Sequence, residues 1–354
     1  MAGLYGIPDG SNPADAPKQT RALSPRRRFL AALFGGRIDR PSAGSPTSVA
    51  TVDLMDQTGA AFPEAHLDPA RMARLAAAGH DLLGFDCVAP LFSVITEAAA
   101  LGATIDWGSK DALPINLDSP WAEPADVHLP GNFLDQPSTR AALEGISLLR
   151  QQLGDRVAIV GKVMGPWTLA YHMHGVQEFL IDILLDPAKV RAFLDALLPI
   201  SIAFARAQMR AGADVIVVAD HSTGDLVRAE TYRDFLLPVH QRLTRELGCP
   251  TILHCCGRSL DRIDYYAQAG FDCYHFESAN DATRAVEITA GRMSLAGNIN
   301  GPKTLLHGTP DDVRRETLAA AAAGVQIVGP ECAVALTTPT SNLRAISAAL
   351  EAGV

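Results

Sequence analysis

From residue 49 onward, short apolar runs alternate with amphipathic, Ala-rich segments, the pattern of parallel strands covered by helices. Eight runs read as strands: 49–54, 82–86, 157–163, 214–219, 251–254, 272–276, 293–296 and 325–328. Between them, segments such as 186–211 and 311–323 carry helical spacing, good helix formers and starts at Asp-Pro or Thr-Pro-Asp. Eight strands with intervening helices predict a closed (β/α)8 TIM barrel, with the helices as its outer ring. The competing doubly wound sheet would need a G-x-G-x-x-G after its first strand, and none is present. Residues 103–156 break the rhythm with Gly, Pro, Asp and Trp through 107–131 before a helical pattern resumes near Thr139, and read as an insertion of loops over one barrel face. Residues 1–20, rich in Gly, Pro, Asn and Asp, read as a flexible N-terminal tail, and 21–354 as a single barrel domain with that extension.

Composition narrows the partners. A net charge of −9 argues against nucleic acid, whose phosphates require concentrated Lys and Arg. The basic cluster Arg26-Arg27-Arg28 follows Ser24 as N-cap and Pro25 as first helical residue, and reads as a solvated helix face. No stretch approaches the roughly 20 apolar residues of a membrane span, so a cytoplasmic protein is expected. Six cysteines are too sparse for a disulfide scaffold in 354 residues, which favours metal-binding or buried roles.

The chemistry gathers at predicted strand ends. In Thr251-Ile252-Leu253-His254-Cys255-Cys256-Gly257 an apolar strand runs into a His-x-Cys pair, and residues two apart in extended chain face the same way. Cys332 lies just past the run 325–328, and in a parallel barrel all carboxyl ends meet on one face. Two thiolates and one imidazole suit Zn2+, with a fourth position left open for water or substrate. A hydrogen-bonded histidine beside ordinary buried cysteines fits the same spacing. Glu277 ends another run and could fill the fourth position or orient a ligand from behind. Asp220 and His221 follow the run 214–219 as candidate site residues, Asp220 either as an acid/base or substrate-binding group or as a structural acceptor for loop amides. His172 and His174 could line the pocket or sit at a helix start, while Cys273 and His275 read as barrel packing.

These residues fall within a wider resemblance. The segments Ser24-Pro25-Arg26-Arg27-Arg28-Phe29-Leu30, Ile38-Asp39-Arg40-Pro41, Thr96-Glu97-Ala98-Ala99-Ala100-Leu101-Gly102, Ala219-Asp220-His221-Ser222-Thr223-Gly224-Asp225-Leu226, Tyr232-Arg233-Asp234-Phe235-Leu236-Leu237-Pro238 and Leu295-Ala296-Gly297-Asn298-Ile299-Asn300-Gly301 occur in order. Together they resemble the uroporphyrinogen decarboxylase superfamily from about Ser24 to the C-terminus. Decarboxylases of this kind carry Arg-Gln-Ala-Gly-Arg after the first strand, a catalytic Asp in Phe-Ser-Asp, and a late Gly-His-Gly. Here those places hold Met55-Asp56-Gln57-Thr58-Gly59-Ala60, Phe92-Ser93-Val94 and Pro330-Glu331-Cys332. His254, Cys256, Gly257 and a Cys332 preceding Thr338-Pro339 are instead similar to the methylcobamide:coenzyme M methyltransferase branch. One motif departs, with Asn300-Gly301 standing where Asp-Pro is common after Gly-Asn.

The resemblance implies a uroporphyrinogen decarboxylase-type barrel in which His254, Cys256 and Cys332 hold zinc and Glu277 matches an acidic position near it. It implies a methyltransferase that moves a methyl group between a corrinoid protein and a zinc-activated thiol or methylated compound. Glu277, Asp220 and His221 are then the catalytic candidates, and Glu97, His172 and Asn298 the substrate-binding ones. The methylcobamide is expected on a separate partner protein. A tetrapyrrole decarboxylase and a non-catalytic zinc-binding or corrinoid-partner protein are the competing readings.

Overall fold

In the computed structural model, which describes residues 22–353, eight parallel strands form a barrel. They are β1 (Ser42–Ala43), β2 (Cys87–Val88), β3 (Ala158–Met164), β4 (Val215–Ala219), β5 (Thr251–His254), β6 (Cys273–Phe276), β7 (Ser294–Ile299) and β8 (Ile327–Pro330). The ladder runs β1-β8-β7-β6-β5-β4-β3-β2. The remaining seam, between β1 and β2, is closed by a backbone hydrogen bond from Asp86 N to Ala43 O at 2.7 Å. The expected tail at 1–20 lies outside the described residues, among which no helix is long and apolar enough to cross a membrane.

Six expected strands stand within three residues of their predicted bounds, and two do not. The run 49–54 enters helix Val52–Thr58 instead, because Thr51 caps it through Leu54 N at 3.2 Å and Gly59 ends it in the left-handed region at φ 65°. A short apolar run fits a buried helix as well as a strand. Its place in the barrel is taken by Ser42-Ala43, two small residues with no apolar run to mark them. The run 82–86 belongs to the turn after helix Pro69–Asp81, with Gly84 at φ 73°, and the chain becomes β2 only at Cys87.

Strand alternation fills the interior. Ala158 and Val160 of β3, Val215 and Val217 of β4, Ile252, Cys273, Ala296 and Ile327 form one apolar cluster with Phe29, Ala32 and Leu33 of helix Pro25–Leu33. That N-terminal helix therefore packs into the barrel's interior, at the end where the strands begin. The arginines do not form a solvated face. Arg27 is exposed, but Arg28 is buried, donating to Asp86 Oδ1 at 2.7 Å and to Asp39, and Arg26 pairs with Asp214 at 2.8 Å.

Asp86 ties this end together. Besides Arg28 it accepts from Ala43 N at 2.9 Å, Ser42 Oγ at 3.1 Å and Arg40 at 3.1 Å, so one buried carboxylate holds β1, β2 and the N-terminal helix. Removing one member of a buried ion network leaves the others uncompensated, which costs about 3–5 kcal/mol. Asp86→Ala is expected to lose stability on that scale in urea unfolding followed by circular dichroism. A loss below about 1 kcal/mol would show that the seam does not depend on it.

The interrupting segment 103–156 contains a two-stranded ribbon, Ile105–Asp106 against Ile115–Asn116, and helix Pro137–Leu153. Asn116 Nδ2 donates to His172 O at 2.9 Å, anchoring the ribbon to the helix that follows β3, and Leu113 and Pro114 from the ribbon's tip reach the pocket described below.

Candidate active site

At the carboxyl ends of the strands lies a pocket of about 330 Å³, within the range of sites for small molecules. His254 is the last residue of β5, Cys256 lies two beyond it and Cys332 two beyond β8. His254 Nε2 lies 3.0 Å from Cys256 Sγ, the sulfurs of Cys256 and Cys332 are 3.0 Å apart, and Cys332 Sγ is 3.5 Å from the same Nε2. All three residues line the pocket. His254 Nδ1 is buried without a protein partner, so Nε2 is the nitrogen turned to the sulfurs.

Gly257 makes the turn after Cys256 possible. It sits at φ 77°, and a Cβ there would meet Thr223 Oγ1 at 2.3 Å and Asp225 Oδ2 at 2.4 Å. Each sulfur perturbs the other's titration. The hydrogen bond from Cys256 holds the Cys332 thiol well below its ordinary pKa, and that same partner pushes the Cys256 thiol up. An imidazole nitrogen and two sulfurs converging on one point match the donor set of tetrahedral zinc. The residues present fit the ion. Zn–S bonds of about 2.3 Å at tetrahedral angles would spread the sulfurs beyond the separation they have here.

Glu277 follows β6 beside this cluster but stands outside the tight group of three. Burial raises its carboxyl, against the pull of the Gly257 amide and the Cys256 thiol. The structure thus brings Glu277 next to one candidate ligand, and leaves first-sphere binding as a proposal.

The other predicted residues divide by where they point. His221 and His172 both line the pocket. Burial holds the pKa of His172 down to about 4, with His221 adding to the effect, and burial followed by His254 lowers that of His221. Asp220 is buried away from the pocket. Its carboxylate accepts from Thr168 N at 2.7 Å, capping the helix Pro166–Met173, and receives His240 Nε2 at 2.9 Å, while His240 Nδ1 meets Tyr232 Oη at 3.0 Å. Gly165 leaves room for it, since a Cβ would fall 2.2 Å from the Asp220 carboxyl carbon. Asn298 points its amide at Asn280 O, 3.2 Å away, and does not line the pocket. His174 likewise turns outward, held by Trp121 O at 2.8 Å and Asp182 at 2.9 Å. His275 packs against His254 with ring centres 4.6 Å apart and donates from Nε2 to Pro330 O at 2.9 Å.

Glu97 lies behind the pocket wall, accepting from Met164 N at 2.8 Å. Burial pushes its carboxyl up to about 7. Its charge partner is Lys162, which the sequence reading did not include. Lys162 is the third inward residue of β3 after Ala158 and Val160, and it lines the pocket. Burial brings it down to about 8, against the opposing effects of Glu97, Cys332 and Cys256. Alternation along β3 was a signal that could have found it: a lysine in phase with inward apolar residues.

Because the folded-state pKa of Glu97 is raised, the folded protein holds this proton more tightly than the unfolded chain does. Its contribution to stability is full below about pH 4.5 and falls away as pH rises through about 7. Glu97→Gln is expected to remove that part of the decline between pH 4.5 and 7 in denaturant titrations. An unchanged slope would refute the ionisation assigned to it.

Residues 24–352 match the family Uroporphyrinogen decarboxylase (URO-D). The chain belongs to this family. Its relatives include a methylated-thiol–coenzyme M methyltransferase of Methanosarcina mazei, 35% identical over 91% of this chain and 88% of that protein. A methylcobamide:CoM methyltransferase MtaA of Methanosarcina barkeri is 34% identical over 92% of this chain and 96% of its own length. Among solved structures, a methyltransferase from Methanosarcina mazei superposes with a TM-score of 0.90 at 32% identity, covering 93% of this chain and 99% of that one. The (β/α)8 barrel of the family is therefore the fold of this chain, with methyltransferases as its near relatives.

Proposed function

We propose that this chain is a zinc-dependent methyltransferase that moves a methyl group between a corrinoid carried by a separate protein and a small substrate bound as a thiolate. The observation that carries this reading is the His254, Cys256 and Cys332 cluster on the wall of a pocket at the strand carboxyl ends. Similarity to methylcobamide:CoM methyltransferases over nine-tenths of the chain supports the corrinoid. A cytoplasmic location goes with this reading.

Bound zinc would keep a substrate thiol deprotonated at neutral pH. The protein's own residues prepare the pocket for that charge. With zinc held by Cys256 and Cys332, a substrate thiolate would bring one net negative charge into a site walled largely by apolar groups such as Phe92, Met164 and Tyr171. Lys162 supplies a positive charge on the same wall, and Glu97 behind it helps keep the ammonium protonated. His172 and His221, whose pKa values burial lowers, help shape the pocket. Half-exposed Val94, Leu113 and Val176 form an apolar rim at its mouth, suited to a docking corrinoid protein.

The decarboxylase reading is disfavoured by the same wall. Among the described lining residues Lys162 is the one Lys or Arg side chain, whereas a polycarboxylate substrate calls for several. A non-catalytic zinc protein is disfavoured by the open pocket beside the three ligands, because structural zinc sites are closed by a fourth.

Purified protein is expected to hold close to one zinc by elemental analysis, and Cys256→Ala or Cys332→Ala to hold almost none. Absorbance of the cobalt centre, followed with candidate corrinoid proteins and a panel of thiols, methoxylated compounds and methylamines, reads out turnover. Metal-free protein that transfers methyl groups normally would overturn the proposal. Lys162→Met, which keeps the aliphatic bulk, is expected to lower kcat/KM on the order of 100-fold with zinc content unchanged, the scale of losing one preorganised charge partner. A loss below about threefold would leave Lys162 without this role.

A further inference from the structure

The residue before Cys332 is a glutamate that is 7% exposed, and it faces neither solvent nor the pocket. Glu331 Oε2 accepts from Ser278 N at 2.8 Å, one residue after Glu277. Its Oε1 accepts from Gly301 N at 2.5 Å, just past β7, while its own N–H donates to Ile299 O at 3.0 Å. A single carboxylate thus spans three strand-end loops, those after β6, β7 and β8, and two of these carry Glu277 and Cys332. On the other side of Glu277, Asn280 uses its whole amide in the same way. Its oxygen accepts from Ser259 N at 2.7 Å and Leu260 N at 3.1 Å, and its nitrogen donates to Gly257 O at 2.9 Å and Glu277 O at 3.1 Å. Asn280 therefore fastens the Cys256 loop to the Glu277 turn, and Glu331 fastens that turn to Cys332.

We infer that Glu331 is a positioning residue for the metal centre, the strut that fixes Cys332 and Glu277 at a set distance, with Asn280 as its counterpart toward Cys256. The inference rests on the zinc reading above. The physical reason is rigidity at loop ends. Cys256 and Cys332 project from separate loops, and ligand loops that can drift apart must be ordered again each time the ion binds. A carboxylate bridging two backbone amides makes charge-assisted hydrogen bonds, stronger than those a neutral side chain makes to the same donors. Glu331 does this without touching the ligand atoms, so its loss should alter the geometry and lifetime of the bound ion while the ligand set stays intact.

The test uses the full-length protein loaded with zinc, or with cobalt(II) as a spectroscopic probe. Glu331→Ala is expected to release zinc to a chelator at least about 10-fold faster than wild type. It should also shift the visible absorption of the cobalt form. Glu331→Gln, which keeps one acceptor of the two, should fall between them. Asp272→Asn is the control for general destabilisation. Asp272 is another carboxylate that accepts a backbone amide, Thr251 N at 2.8 Å, but at the opposite end of β5 and β6. It should lower the unfolding midpoint without moving the cobalt spectrum. Wild-type release and an unshifted spectrum in Glu331→Ala would overturn the inference, as would an equal change in Asp272→Asn. Wild-type protein that takes up no zinc would instead sink the metal reading beneath it.

Discussion

The carboxylate of Asp86 holds the barrel shut, and the candidate active site depends on that closure. The strands β1 and β2 are two residues long, too short for their ladder bonds to secure the seam between them. Asp86 adds four donors, from Arg28, Arg40, Ser42 and the Ala43 amide, at the end where the N-terminal helix fills the interior. With the ring complete, His254 on β5 and Cys332 beyond β8, 78 positions apart, come within 3.5 Å. Closure at one end of the strands thus accompanies the meeting of His254, Cys256 and Cys332 at the other.

The parallel register does the remaining positioning. Ala219, His254, His275 and Ala296 are successive partners across β4 to β7. The imidazole therefore sits in a defined layer, braced by a second histidine that donates to the carbonyl two residues before Cys332. One layer deeper along β3, Lys162 places a charge into an otherwise apolar wall. Such a burial is costly unless a partner or ligand compensates it, and Glu97 and the two cysteines provide that compensation. The polar groups around the pocket thus fall into two kinds: those that face the reacting volume, and those, such as Asp220, Asn280 and Glu331, whose hydrogen bonds hold backbone in place behind it.

That division explains which assignments could be read from sequence. A His-x-Cys pair at the end of an apolar run and a cysteine after a later run name the three residues that converge, because strand ends in a barrel of this kind share one face. Asp220 follows a strand in the same way, yet its side chain turns to a helix N-terminus and His240. Strand position alone cannot tell a pocket-lining carboxylate from a capping one. Lys162 hides inside a strand, and Glu331 hides beside a cysteine, because their roles depend on partners more than 20 residues away.

By itself the sequence determined the alternation of strands and helices, hence the barrel, since the 2-residue and 3.6-residue periods of buried positions are written locally. It also determined the imidazole and thiol groups that meet beside the pocket, which are a matter of residue type. Tertiary structure decided where the barrel begins, because Ser42-Ala43 becomes a strand only by pairing with Ile327 and Val328. It decided as well which polar residues meet the pocket and which brace it. A hydrogen bond or a charge pair is set by distance and direction in space, and the chain encodes these only once it has closed.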